Sequence, residues 1–111
     1  QHKWMSPVYI HPIEQSDVDI GKLLDKMKQE GLYEDTHFML LTDHGGIEYG
    51  DGGVSVDEMI VPWGITGPKI VKGLKIEEPN NTVNTASVIL RLFRGDQPAC
   101  WTGEIPSTIF K

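Results

Sequence analysis

The stretch Phe38-Met39-Leu40-Leu41-Thr42-Asp43-His44-Gly45-Gly46 decides how this chain is read. Its first four residues are apolar without interruption and too few for a helix, the character of a strand buried on both faces. The polar, glycine-rich continuation ends that strand abruptly. Upstream, Ser16 and Asp19 read as a capping box for a helix over residues 16–30. Ile20, Leu23, Leu24 and Met27 recur at helical spacing, and Gly31 is the expected stop. Val8-Tyr9-Ile10 reads as a further strand before the helix. Strand, helix and strand together have the length of a right-handed parallel crossover. The pattern predicts an α/β fold, a small and mainly parallel sheet flanked by helices.

Downstream, residues 42–57 contain five of the twelve glycines and almost nothing for a core, as in a long loop. Residues 59–65 are apolar again, with Pro62 placing them at a sheet edge or a bulge. Lys69-Ile70-Val71 lies between turn signals. A second helix is expected over residues 83–93, with Ala86, Ile89, Leu90 and Phe93 on one face, Arg91 and Arg94 at its negative end and Gly95 closing it. Residues 97–111 read as an irregular tail.

A length of 111 residues fits one domain spanning 1–111. A formal charge of -6 argues against nucleic acid as a partner and against docking on an anionic membrane surface. No apolar run is long enough to span a bilayer, and residues 1–20 do not have the pattern of a signal peptide. The lone cysteine, Cys100, cannot form an internal disulfide and is expected to be a semi-buried small hydrophobe.

Asp43 and His44 offer a carboxylate and an imidazole side by side, a pairing suited to zinc or a similar divalent metal. On residue types alone, Asp43 as a turn cap and His44 as a polar loop residue account for the pair more simply. Glu48, Asp51, Asp57 and Glu58 do not have EF-hand spacing and read as a solvated acidic loop.

The segments Leu32-Tyr33-Glu34-Asp35-Thr36, Thr42-Asp43-His44-Gly45-Gly46, Ser55-Val56-Asp57-Glu58-Met59-Ile60-Val61-Pro62-Trp63 and Gly67-Pro68-Lys69-Ile70 resemble, in order and spacing, the alkaline phosphatase superfamily. The likeness is to its nucleotide pyrophosphatase/phosphodiesterase and sulfatase branches, C-terminal portion only. It continues through the helix at 84–93 to Gln97-Pro98 and Trp101-Thr102-Gly103, as in bacterial members. The resemblance implies two zinc ions flanking a Ser or Thr nucleophile, acting on phosphate or sulfate esters. It equates Asp43 and His44 with the ligands of one metal, and it places Asp51 where the family has a histidine ligand of the other. The family also carries an Asp and a His four residues apart upstream of the helix at 16–30; with a strand at 8–10 there is no room for them. The nucleophile belongs to an N-terminal half outside these 111 residues. The expectation is therefore a hydrolase-lineage chain, inactive by itself, holding a divalent metal weakly or not at all. The alternative is a non-catalytic module that self-associates or binds a partner through its sheet edge. The partner expected is a second copy, in a homodimer, or the missing N-terminal half. Family resemblance favours a periplasmic or secreted setting.

Overall fold

A computed structural model describes residues 2–111. The chain forms two compact units, Gln1–Gly67 and Pro68–Lys111. The first contains helix α1 (Pro7–Gln29), strand β1 (Phe38–Leu40), the short helix α2 (Val56–Met59) and strand β2 (Gly64–Thr66). The second contains helix α3 (Asn84–Leu92) and a C-terminal segment ending in a 3-10 turn at Ser107–Ile109.

The sheet differs from the expected one. It has two strands, β1 and β2, and they are antiparallel, pairing Phe38 with Thr66, Met39 with Ile65 and Leu40 with Gly64. The mainly parallel sheet required a strand at residues 8–10, and these residues are helical. α1 begins at Pro7, with the Ser6 hydroxyl accepting the Tyr9 amide at 3.3 Å. Serine at the cap and proline in the first turn are strong starting signals, and they override the strand preference of Val8-Tyr9-Ile10. Pro12 lies inside the helix. Ser16 is no cap: its hydroxyl donates to the Pro12 carbonyl at 2.8 Å, a bond back along the helix. Gly31, at φ 70°, ends α1 as expected.

The 3-10 turn Tyr33–Asp35 folds back on α1, with the Leu32 amide on the Met27 carbonyl at 2.9 Å and the Lys28 ammonium 5.1 Å from the Tyr33 ring centre. Tyr33 meets Phe38, centroids 5.5 Å apart, which sets the entry into β1. The apolar run at 38–41 is not doubly buried: Leu40 is 58% and Leu41 44% exposed. Ile13, Ile20 and Leu23 of α1 are exposed as well, and the helix buries no residue.

The apolar core among the described residues belongs to the second unit: Ile70, Val88 and Ile109, each at most 2% exposed. Residues 97–106 are irregular, as expected, but the end of the segment is tied into the unit. The Val71 amide binds the Ile109 carbonyl at 2.8 Å, the Lys111 amide binds the Lys69 carbonyl at 3.1 Å, and Ile70 bridges Phe110 antiparallel. α3 is turned from its expected face. Ile89 and Phe93 are exposed, while Asn84, Ser87 and Val88 are buried. Asn84 donates to Asn80 Oδ1 at 3.0 Å and accepts the Glu104 amide at 2.9 Å, so its buried amide is satisfied on both sides. Gly103 packs so closely on α3 that a Cβ there would strike Ser87 Oγ and the Val83 carbonyl.

α3 ends in a Schellman motif, the Gly95 amide on the Leu90 carbonyl at 2.9 Å and the Arg94 amide on the Arg91 carbonyl at 3.0 Å. The left-handed residue of this motif is Arg94, at φ 58°, and not the expected Gly95. Glycine would sit there without the cost of roughly 1–2 kcal/mol that a side chain brings. Cys100 is exposed rather than semi-buried.

The orientation of α3 yields a discriminating test. Asn84→Ala strips two bonds from a buried group and is expected to destabilise the chain by about 1–3 kcal/mol. Phe93→Ala, at an exposed site, should change stability by less than about 0.5 kcal/mol. Urea unfolding of the two variants checks this; the reverse ranking would restore the face read from periodicity.

Candidate functional site

β1 delivers the chain directly into the segment Thr42-Asp43-His44-Gly45-Gly46, and α2 precedes β2 on the return, so the loop between the strands is closed at its base by the β1–β2 pairing. What shapes the loop is Glu58. Its side chain accepts the Ser55 hydroxyl at 2.6 Å, the Gly53 amide at 2.8 Å and the Ser55 amide at 3.2 Å. Ser55 and Glu58 form the capping box of α2. Glu58 is 9% exposed, so it is not part of a solvated acidic face. The Ser55 hydroxyl foremost, then the Gly53 and Ser55 amides, hold its carboxyl below the usual carboxylate range. The Ser-x-x-Glu spacing at 55–58 is the sequence signal that would have revealed this role.

The backbone of the same short helix grips the Asp-His-Gly-Gly segment. The Gly45 amide donates to the Glu58 carbonyl at 2.8 Å and the Gly46 amide to the Asp57 carbonyl at 3.1 Å. Both glycines are required by contact. A Cβ on Gly45 would overlap the Asp57 carbonyl, and one on Gly46 would overlap the Trp4 indole. Trp4 is itself tied to the loop through its amide on the Glu48 carbonyl at 2.8 Å.

On this support Asp43 and His44 face each other. The His44 amide binds Asp43 Oδ1 at 3.0 Å, and His44 Nε2 lies 3.4 Å from Asp43 Oδ2. His44 Nδ1 is 2.8 Å from the Gly45 carbonyl. When Nδ1 donates to that carbonyl, the Nε2 lone pair of the neutral ring is left beside the carboxylate, the arrangement of a metal-ligating histidine oriented by its backbone. The Gly45 carbonyl first, then the Asp43 charge, raise the His44 pKa above the ordinary imidazole value. The His44 amide chiefly lowers that of Asp43. The pair is open to solvent, with side-chain exposures of 84% for Asp43 and 44% for His44.

Asp51 lies elsewhere in the loop, in a cleft of about 400 Å³ shared with Trp4 and Tyr9, whose rings are 4.8 Å apart. Its charge reaches His44, which it helps to hold protonated. No three or more His, Cys, Asp or Glu side chains gather as a metal-holding group among the described residues. A catalytic zinc needs about three protein ligands and an open position. Asp43, His44 and Asp51 therefore do not fit a complete centre, and no catalytic step runs through one here.

The chain matches the family model of the type I phosphodiesterases/nucleotide pyrophosphatases over residues 1–89. It belongs to that family, and with it to the alkaline phosphatase superfamily and a hydrolase-related lineage. No curated protein and no solved structure matches it. The match takes in Asp43, His44 and Asp51. No helix among the described residues is long and apolar enough to cross a membrane.

The Glu58 anchor makes the loop acid-sensitive. Because its folded pKa is depressed, its contribution is complete above the ordinary glutamate value of about 4.3 and is lost as pH falls through the lower folded value. The protection factor of the Gly53 amide should hold from neutrality down through the ordinary glutamate range and be lost only as pH falls below it. Glu58→Gln should lose that protection at neutral pH as well. Protection indifferent to both changes would show that the loop is held by something else.

The His44 environment gives a second, opposite dependence. Its imidazolium should persist above the ordinary histidine range, and Asp43→Asn should move the NMR titration midpoint of its ring protons downward. An unchanged midpoint would mean that the two side chains do not face each other in solution.

Proposed function

We propose that this chain carries one part of the metal site of a phosphodiesterase-type hydrolase acting on phosphate or sulfate esters, and that it does not turn over substrate by itself. The Asp43–His44 pair carries the reading. It is a carboxylate and an oriented imidazole at the exit of β1, held by two backbone bonds to α2, in a chain of the phosphodiesterase family. Zinc or another divalent metal would take Asp43 and His44 as two ligands and draw the others from outside these 111 residues. Asp51 is a candidate further donor, and reaching His44 would require the loop to move.

The Asp and His expected upstream lack room only if residues 8–10 form a strand. With α1 starting at Pro7, such a segment would precede Ser6. Inactivity rests instead on the lack of a matching Ser or Thr nucleophile within this sequence and on Asp51 in a histidine's place. The purified 111-residue chain, with zinc supplied, should hydrolyse an aryl phosphodiester or aryl sulfate no faster than the metal alone. Activity abolished by Asp43→Ala would contradict the proposal and reveal a complete centre.

A second reading, an interaction module, is favoured by a specific observation. Ile13, Ile20 and Leu23 on α1 and Leu40 and Leu41 at β1 are all 44–58% exposed, and the described part of the first unit has no buried apolar residue. Apolar surface of this kind is normally covered by a partner. Either a second copy or an N-terminal half of the same hydrolase would do so. The expected edge at residues 59–65 remains a candidate centre, with Met59 and Ile60 61% and 74% exposed; residues 8–10 do not, since they offer no strand edge. Light scattering should show a dimer at tens of micromolar, whereas a monodisperse 12.4 kDa species would contradict self-association.

A further inference from the structure

The second unit holds a cleft of about 560 Å³ beside the C-terminal end of α3, and Lys69, Arg91, Arg94 and Lys111 line it without a carboxylate side chain among them. Four of the ten Lys and Arg residues of a chain with net charge -6 thus converge on one concavity. Leu92 and Phe110 supply an apolar wall. Part of this is local chemistry, because cations suit the negative end of a helix. The Lys69 ammonium donates to the Leu92 carbonyl at 3.4 Å, and the Lys111 ammonium to the Pro68 carbonyl at 3.0 Å.

That account does not reach the two arginines. Neither guanidinium makes a hydrogen bond or ion pair among the described residues, although each offers five donors. Arg94, moreover, occupies the left-handed position where glycine would be free of strain. A costly backbone position that presents an unpaired charge to a cleft is a motive for looking for a ligand. Arg91, Arg94 and Lys111 also lie beyond the residues that the phosphodiesterase family model matches, so the reading of this cleft does not depend on that of Asp43 and His44.

We propose that the cleft binds an organic phosphate monoester. The arginine forks match phosphate oxygens, the lysines add point charge, and Phe110 and Leu92 receive the organic part. The volume exceeds what a bare phosphate would fill.

Phenyl phosphate and inorganic phosphate, titrated separately into the labelled 111-residue chain, test this by NMR. Phenyl phosphate should shift the Arg91–Gly95 and Lys111 amides saturably with a Kd below about 1 mM, weakening as sodium chloride is added. Inorganic phosphate should bind at least fivefold more weakly. Arg94→Gly removes the guanidinium while relieving the backbone, so the variant should fold at least as well and bind at least tenfold more weakly. Arg91→Gln should weaken binding too. Equal affinity for the two probes would overturn the organic-phosphate assignment in favour of free phosphate. Unsaturable shifts, or affinity unchanged in Arg94→Gly, would overturn the site altogether.

Discussion

The buried carboxylate of Glu58 is the interaction on which the candidate site depends. Leaving such a group unpaired inside a protein is costly, so the three donors that satisfy it, from Gly53 and Ser55, are fixed along with it. Those donors tie residues 53–55 to α2, and the carbonyls of Asp57 and Glu58 then hold Gly45 and Gly46. Asp43 and His44 inherit their positions from that chain of bonds. An exposed loop between two three-residue strands would otherwise have little reason to keep a carboxylate and an imidazole in one geometry.

The two units obtain their order differently. In the second, a small core of Ile70, Val88 and Ile109 is framed by hydrogen-bonded polar groups on α3 and by the returning C-terminal segment. In the first, the order is local and polar: caps, turns, the Glu58 anchor and a short antiparallel pairing. Its apolar side chains remain mostly facing outward. Hydrophobic burial is the dominant favourable term in folding, and it is the scarcity of such burial in this unit that favours the proposal of a covering partner.

Legibility in the sequence followed the range of the interactions. Both helices were visible through local periodicity, and the stops at Gly31 and near Phe93 through local backbone chemistry. The Asp43–His44 pair was visible because its chemistry is carried by adjacent residues. No parallel sheet forms because Ser6 and Pro7 commit Val8-Tyr9-Ile10 to a helix, a boundary signal that outweighs their β-prone side chains. The buried face of α3 failed because Asn84 and Ser87 are held by partners at residues 80, 103 and 104 that no periodicity contains. Asp51, which the resemblance equates with a ligand of the other metal, lines a cleft with Trp4 and Tyr9, a placement that local sequence does not carry.

The proposal that Asp43 and His44 are a held but incomplete pair of metal ligands is tested most directly by zinc titration read at His44. Two ligands forgo most of the chelation that makes a site tight. Zinc should therefore perturb the His44 ring resonances with an apparent Kd weaker than about 1 μM, more weakly at acid pH, and not at all in Asp43→Ala. One stoichiometric zinc retained through dialysis against a mild chelator, or zinc binding that leaves His44 untouched, would contradict it.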